Sequence, residues 1–182
     1  MKSIENSVLI AQLENRVEAH LKESIESFQN LDEGLLLKPA SNGGWSIAQC
    51  LEHLNTYSRY YLPAIQKGLA NQRKKGTNLQ FKSSYLGAYF TQLMEPKEKM
   101  SKMKAFKDHS PVVELDAYTV VAEFIEHQET LLKLLKASVA TDMNAIRIPI
   151  SITRLIRLKL GDVYQFLTAH NERHIVQARR NV

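Results

Sequence analysis

Four long segments of this chain repeat apolar residues every three or four positions, which is the pattern of a helix with one apolar face. They cover about residues 5–30, 46–68, 116–137 and 161–180. Such helices must bury their apolar faces against one another, and the chain has only seven glycines and five prolines to interrupt them. The pattern therefore predicts an all-α four-helix bundle, and we expect one domain over residues 1–182.

The second segment has a well-marked beginning. Ser46 is a good N-cap residue, and Gln49 stands three positions later, as in a capping box. Pro63 predicts a kink within the segment, and Gly68 predicts its end. We therefore expect this helix to begin directly after Ser46.

The segments between the long helices are polar or irregular. Residues 31–44 end in a Ser-Asn-Gly-Gly sequence that predicts a turn. The stretch between the second and third helices is too long for a bare loop, and its apolar residues at 81–94 predict a short helix. Residues 146–150 are typical of a short strand, and residues 151–158 favour another short helix.

The composition indicates a protein of the reduced cytoplasm. Cys50 is the only cysteine, so the chain forms no internal disulfide. No run of about 18 apolar residues is present, and the first residues turn polar too quickly for a secretory signal. We therefore expect a cytoplasmic location and no membrane partner.

The net charge of +5 is mild and its excess is clustered. The clusters are Arg73, Lys74 and Lys75; Lys97, Lys99, Lys102, Lys104 and Lys107; and Arg154, Arg157, Lys159, Arg179 and Arg180. A nucleic-acid surface would interleave such residues with aromatic side chains, and these clusters contain few. The pattern favours solvated faces over a nucleic-acid partner.

Two histidines lie in the middle of the apolar stripe of the fourth helix. At about 100° per residue, His170 and His174 share one face with several apolar side chains, and Glu172 points away. The apolar members of this face are Leu160, Val163, Phe166, Leu167 and Ala178. A buried imidazole needs polar partners, and histidines at i and i+4 can share a metal ion. Spacing alone leaves two interpretations open, a metal site and a pair of hydrogen-bonded core histidines.

The other four histidines stand at the edges of apolar stripes or in a loop. His53 is on the flank of the second helix, from where it could reach an ion between helices. His20 and His127 are also flanking and are predicted to be half-exposed boundary residues. His109 precedes a proline in a polar loop and is predicted to be solvated.

Two stretches of the sequence resemble the DinB-like family, also called the DinB/YfiT-like metal-dependent hydrolases. In Gly44-Trp45-Ser46-Ile47-Ala48-Gln49-Cys50-Leu51-Glu52-His53-Leu54, a Trp-Ser helix start is followed by a histidine eight residues after the tryptophan. In the fourth helix, Leu160-Gly161-Asp162 precedes His170-Asn171-Glu172-Arg173-His174 and Gln177, which matches the family's His-x-x-Arg-His-x-x-Gln pattern.

The resemblance implies a four-helix bundle with a three-histidine metal site. The ligand positions carry over to His53, His170 and His174, and all three are histidine here. The family binds a divalent ion such as nickel, zinc or iron, and its members are often homodimers. Some members are thiol-dependent S-transferases. The resemblance therefore implies a metal-dependent hydrolase or S-transferase that acts on a small molecule, for example a thiol.

The groups that would assist such a reaction are harder to identify. Gln49 and Tyr57 each lie one turn from His53 and are candidates for residues that surround the metal ligands. The alternative is that each is a helix cap or a packing residue. Arg173 is a candidate for binding an acidic substrate group, or for an ion pair with another helix. Cys50 could be a fourth ligand, but its place in the stripe favours core packing. Since no general base stands out, a non-catalytic metal- or small-molecule-binding stress protein is the alternative function.

Overall fold

Four long helices form the body of the structure, a computed structural model that describes residues 2–41, 43–72, 78–97 and 105–182. The helices are α1 (Asn6–Glu23), α2 (Glu33–Leu37), α3 (Ile47–Ala70), α4 (Tyr85–Met94), α5 (Ala117–Ser138) and α6 (Leu160–Arg179). The strands are β1 (Ile4–Glu5), β2 (Gln80–Phe81), β3 (Arg147–Ile150) and β4 (Thr153–Lys159). A π-helical turn over Ser24–Phe28 extends α1, and a 3₁₀ turn covers Lys107–His109. The predicted all-α four-helix bundle is confirmed.

The order of the long helices around the bundle differs from their order along the chain. α3 packs against α5 and α6, and α1 packs against the same two helices. Among the described residues, neither α1 with α3 nor α5 with α6 forms a comparable contact. Of the consecutive pairs, α3 and α5 are therefore neighbours, whereas the connections from α1 to α3 and from α5 to α6 both run diagonally across the bundle.

The beginning of α3 confirms the predicted capping box, and a similar side-chain cap begins α5. The Ser46 hydroxyl accepts a hydrogen bond from the Gln49 amide, and the Gln49 side chain accepts one from the Ser46 amide. Asp116 caps α5 in the same way by accepting from the Thr119 amide. Pro63 lies inside α3, which continues to Ala70, two residues past the predicted end at Gly68.

The connecting segments confirm three predictions and contradict one. Gly43 has a φ of 74°, a left-handed conformation that suits the predicted turn at 41–44, of which Asn42 lies outside the described residues. The predicted short helix at 81–94 is α4, and the predicted strand at 146–150 is β3.

The helix predicted at 151–158 is wrong, because most of this segment is strand β4. It pairs antiparallel with β3, with Ile148 opposite Leu158. Ile152, Leu155 and Ile156 have helix-like spacing, but all three are exposed. The pairing with β3 buries Leu158 instead, so a tertiary contact outweighs the local pattern.

The core of the bundle consists of two apolar clusters with a polar layer between them. One cluster contains Tyr61, Leu135 and Tyr164, and the other contains Leu51 and Phe124. Between the two, each long helix contributes buried polar side chains: His20 from α1, His53 and Asn55 from α3, Gln128 from α5, and Thr168, His170, Asn171 and His174 from α6. The candidate site lies in this layer.

The basic clusters are described only in part. Arg73, Lys74, Lys75, Lys99, Lys102 and Lys104 lie outside the described residues. Of the others, Arg179 pairs with Glu23, and the Lys159 ammonium donates to the Lys82 carbonyl. These two cations are therefore engaged within the chain. Within the described ranges, no helix is both long and apolar enough to cross a membrane.

Candidate metal centre

The structure brings three histidine side chains from two neighbouring helices to one point. His53 comes from the middle of α3, and His170 and His174 come from successive turns of α6. One ring nitrogen of each lies within 4.8 Å of the others, and Nε2 of His53 is 3.1 Å from Nε2 of His170. Two nitrogens bound to one ion at about 2.0–2.1 Å lie at most about 4.2 Å apart. The 3.1 Å separation therefore fits a shared ion.

The hydrogen bonds of these histidines decide which nitrogens present lone pairs. Nδ1 of His53 lies 2.6 Å from the carbonyl oxygen of His109, and a carbonyl only accepts. This nitrogen therefore carries the proton, and Nε2 keeps its lone pair. Nδ1 of His174 likewise donates to Oε1 of Gln177 at 3.1 Å. Both rings offer Nε2 to the centre, as is usual for histidines that bind a metal.

Burial keeps the three rings uncharged. It lowers the pKa of His53 to about 4, although the His109 carbonyl opposes this shift. Burial, followed by the charges of His53 and Arg173, lowers the pKa of His174 to about 3. The pKa of His170 falls well below its ordinary value for the same main reason. Neutral imidazoles are the form that binds metal ions, so the site is prepared for a cation at neutral pH.

One polar atom of the centre has no partner among the described residues. Nδ1 of His170 is buried and without a hydrogen bond, and His170 as a whole is only 3% exposed. An unpaired buried nitrogen costs about 1–3 kcal/mol. An ion bound at Nε2 of the same ring would leave Nδ1 unpaired, but its binding free energy would offset this cost.

Aromatic side chains enclose the three histidines. The Trp45 ring lies 4.9 Å from that of His53 and 5.7 Å from that of His174. Tyr57 stands at 5.1 Å from His53 and 4.4 Å from His170, and Phe166 stacks on His170 at 5.5 Å. This wall restricts water and leaves the Tyr57 phenol beside the site, with its pKa raised to about 12 by burial.

The other two predicted site residues have different positions. The Gln49 side chain serves the capping box at the start of α3, which agrees with the interpretation of this residue as a helix cap. Arg173 lies close enough to His170 and His174 for its positive charge to lower the pKa of both. Tyr57 and Arg173 therefore lie beside the histidines, whereas the side-chain oxygen of Gln49 is bound within the helix cap.

Two of the remaining histidines are more deeply buried than predicted. His109, predicted to be solvated, is only 6% exposed because its ring stacks on Tyr57 at 3.9 Å. His20, predicted to be half-exposed, is buried because Nε2 reaches the Glu172 carboxylate between α1 and α6. His127 is half-buried as predicted, and Cys50 is buried in an apolar cluster, where its pKa rises to about 12.

The carboxylates nearest in sequence to the histidines are engaged elsewhere. Glu172 accepts from His20 and Arg16, and these bonds, led by that of His20, lower its pKa to about 2. Glu52 pairs with Arg59 on the outer side of α3. Neither carboxylate is placed to act as a general base at the histidine centre.

We expect the metal-free protein to lose stability as the pH falls from about 7 to about 5. In this window the unfolded chain takes up protons at His53 and His174, whose ordinary pKa is 6.5, whereas the folded chain does not. Stability is therefore kept above about pH 6.5 and falls by about 3 kcal/mol over the window. Urea unfolding of chelator-treated protein at both pH values measures this loss, and a His174→Gln variant should show a smaller one. Equal stability at the two pH values would contradict the buried neutral histidines.

Sequence reasoning missed His109 and Ser151 as neighbours of the centre. The His109 ring contacts Tyr57 and the Ser151 hydroxyl, and its carbonyl reaches His53. Both residues are in connections between helices, where no periodic pattern indicates burial. Trp45 was recognised only as part of a motif, and the structure shows that its ring covers two of the histidines.

Comparison with known proteins shows the family of the chain and a solved structure with a similar fold. No curated protein matches the sequence. The fold is similar to that of YfiT from Bacillus subtilis, at 18% identity and a TM-score of 0.56, with 100% of this chain and 89% of that chain covered. That protein is described as a probable metal-dependent hydrolase with an unusual four-helix bundle topology. The family model of the DinB superfamily matches residues 16–178, and the chain therefore belongs to the DinB superfamily.

Proposed function

We propose that this protein is a divalent-metal-dependent enzyme, a hydrolase or a thiol-dependent S-transferase, with its metal held by His53, His170 and His174. The observation that carries the proposal is the convergence of three neutral imidazoles between α3 and α6. The similarity to YfiT, itself described as a probable metal-dependent hydrolase, supports the same function. Nickel, zinc and iron all suit imidazole ligands.

Three protein ligands leave coordination positions open, which is typical of catalytic sites; structural zinc sites have four protein ligands. Within the described residues, the histidine group is the one whose donor atoms converge for a metal, and Cys50 is not part of it. When bound, a divalent ion lowers the pKa of a coordinated water or thiol towards neutrality and so supplies a nucleophile.

The chain's own residues would bind and orient the substrate. Tyr57 keeps its proton because burial raises its pKa to about 12, so its hydroxyl can donate a hydrogen bond to a substrate oxygen. Arg173 supplies a fixed positive charge beside the ligands, which favours a substrate with an acidic group. Trp45 and Phe166 offer flat apolar surfaces. Gln49 remains a candidate at the edge of the site through its amide nitrogen.

The alternative is a metal- or small-molecule-binding protein without catalysis. It is favoured by the engagement of Glu52 and Glu172 away from the site, which leaves no carboxylate general base there among the described residues. In this function the same three histidines bind the ion, and the aromatic wall binds a ligand without turnover. A role in stress response belongs to this alternative.

The test begins with metal analysis of protein purified without chelator. We expect about one divalent ion per chain, because the described residues contain one converging ligand set. A screen of thiol conjugation and of ester and amide hydrolysis then follows, with Tyr57→Phe as the variant that removes only the hydroxyl. Turnover that requires the metal and weakens in Tyr57→Phe supports the enzyme. Metal binding without turnover favours the alternative, and absence of metal contradicts the enzyme and the metal-binding form of the alternative.

The homodimer, the cytoplasmic location, the small-molecule substrate and the single domain over 1–182 are part of the same proposal. Family resemblance supports the dimer, and the single buried cysteine suits a reducing compartment. Nucleic acid is not a proposed partner, because cations such as Arg179 are paired within the chain. Light scattering tests the dimer directly.

A further inference from the structure

We propose that His109 is a positioning residue that fixes the orientation and the proton position of His53, and that the β3–β4 hairpin takes part through Ser151. The proposal rests on the proposed function, because it concerns a ligand of the proposed metal. It extends the candidate site beyond the three histidines to the loop that contains His109 and to the β3–β4 hairpin.

The first step is the contact between the loop and the ligand. The backbone carbonyl of His109 accepts the Nδ1 proton of His53 at 2.6 Å. This bond holds the His53 ring with Nε2 directed at His170. A bond from the outer nitrogen of a histidine ligand to a carbonyl sets both its tautomer and its ring angle.

The second step is the anchoring of the loop by the His109 ring. The Thr56 hydroxyl donates its only proton to the His53 carbonyl at 2.7 Å, so its oxygen accepts from Nδ1 of His109 at 2.9 Å. Nε2 of His109 then has a lone pair and accepts from the Ser151 hydroxyl at 2.9 Å. Both ring nitrogens are satisfied, and one face of the ring lies 3.9 Å from Tyr57.

The third step is the attachment of the hairpin. Ser151 lies in the turn between β3 and β4, and its amide donates to the Tyr61 hydroxyl at 3.1 Å. Ser151 therefore joins the His109 ring to α3 from the hairpin side. Because the His109 ring is held from α3 and from the hairpin, its carbonyl has little freedom to move away from His53. Outer partners of this kind typically contribute 10–100-fold to metal affinity.

The test compares His109→Phe and Ser151→Ala with a matched control in the full chain. His109→Phe keeps a flat ring against Tyr57 and removes both ring hydrogen bonds. Ser151→Ala removes one of these bonds and leaves the loop sequence intact. Ser110→Ala is the control, because among the described residues the Ser110 hydroxyl bonds to the nearby Phe106 carbonyl alone.

Two measurements are made on each protein. The first is the tautomer of His53 in metal-free protein, read from nitrogen-15 chemical shifts of the imidazoles. The second is titration with Co²⁺, followed by its visible absorption spectrum. We expect His109→Phe to mix the His53 tautomers, to weaken Co²⁺ binding about 10-fold or more and to alter the spectrum. We expect Ser151→Ala to do the same to a smaller degree, and Ser110→Ala to match the wild type.

The outcomes separate this inference from the proposed function. Wild-type tautomer, affinity and spectrum in both His109→Phe and Ser151→Ala would overturn the positioning role, even if thermal stability falls. Tautomer mixing in protein that binds no Co²⁺ would support the positioning role and contradict the proposed metal site. If His109→Phe does not fold, Ser151→Ala alone decides in the same two measurements.

Discussion

Replacing His170 with alanine is expected to abolish stable metal binding. Nε2 of His170 lies 3.1 Å from that of His53, and the ring is buried between Tyr57, Phe166 and the other two histidines. Two imidazoles remain in the variant, and water has to supply the missing donor in an apolar pocket. We expect the affinity to fall by more than the 10–100-fold that loss of an outer partner costs. Metal content after purification and Co²⁺ titration measure the change.

His127→Ala is the matched control for this prediction. His127 is a half-buried histidine of α5 that bonds to Asn55 and lies outside the converging group. We expect it to bind metal like the wild type. Equal metal content in His170→Ala and His127→Ala would exclude the proposed ligand set, whereas loss in His170→Ala alone supports it.

Replacing Gly87 with alanine is expected to destabilise the protein by about 3 kcal/mol, at the upper end of the cost of overpacking. A Cβ atom at Gly87 would overlap Cγ of Asp162. Asp162 cannot retreat easily, because it is fully buried and accepts hydrogen bonds from Ser83 and Ser84. The variant must separate α4 from α6 or break these bonds to a buried carboxylate. Urea unfolding of metal-free protein measures the loss.

Gly34→Ala provides the comparison for Gly87→Ala. Gly34 lies in α2, and a Cβ atom there would meet nothing within 4 Å. Alanine at an unstrained helical position favours folding, so we expect a gain of up to about 1 kcal/mol. If Gly87→Ala unfolds at the same urea concentration as the wild type, the close packing of α4 on Asp162 is refuted.

The helices could be predicted from the sequence because their signals are local. The apolar stripes and the capping box at Ser46 use residues within one or two turns of each other, and the structure confirms them. The segment at 151–158 shows the limit of this approach. Its strand forms because β3 lies beside it, and no residue within the segment specifies that pairing.

The candidate site could also be predicted from the sequence only in part. Helical spacing places His170 and His174 on one face, and the motif match adds His53 from another helix. Spacing within a helix could not show that α3 and α6 are neighbours, since the order of the helices around this bundle differs from their order along the chain. The burial of His109 likewise depends on a loop that crosses α3, where the sequence has no periodicity to reveal it.

The helical class, the two motifs and the three histidines can be read from the order of the residues, because each depends on spacing within a single helix or on a contiguous motif. Which helices are neighbours, the pairing of β3 with β4, and the surroundings of the histidines become visible only in the folded protein. These depend on contacts between residues far apart in the chain, such as the bond from His53 to the His109 carbonyl. The free energy of such contacts comes from burial and hydrogen bonding that exist only after the helices have packed.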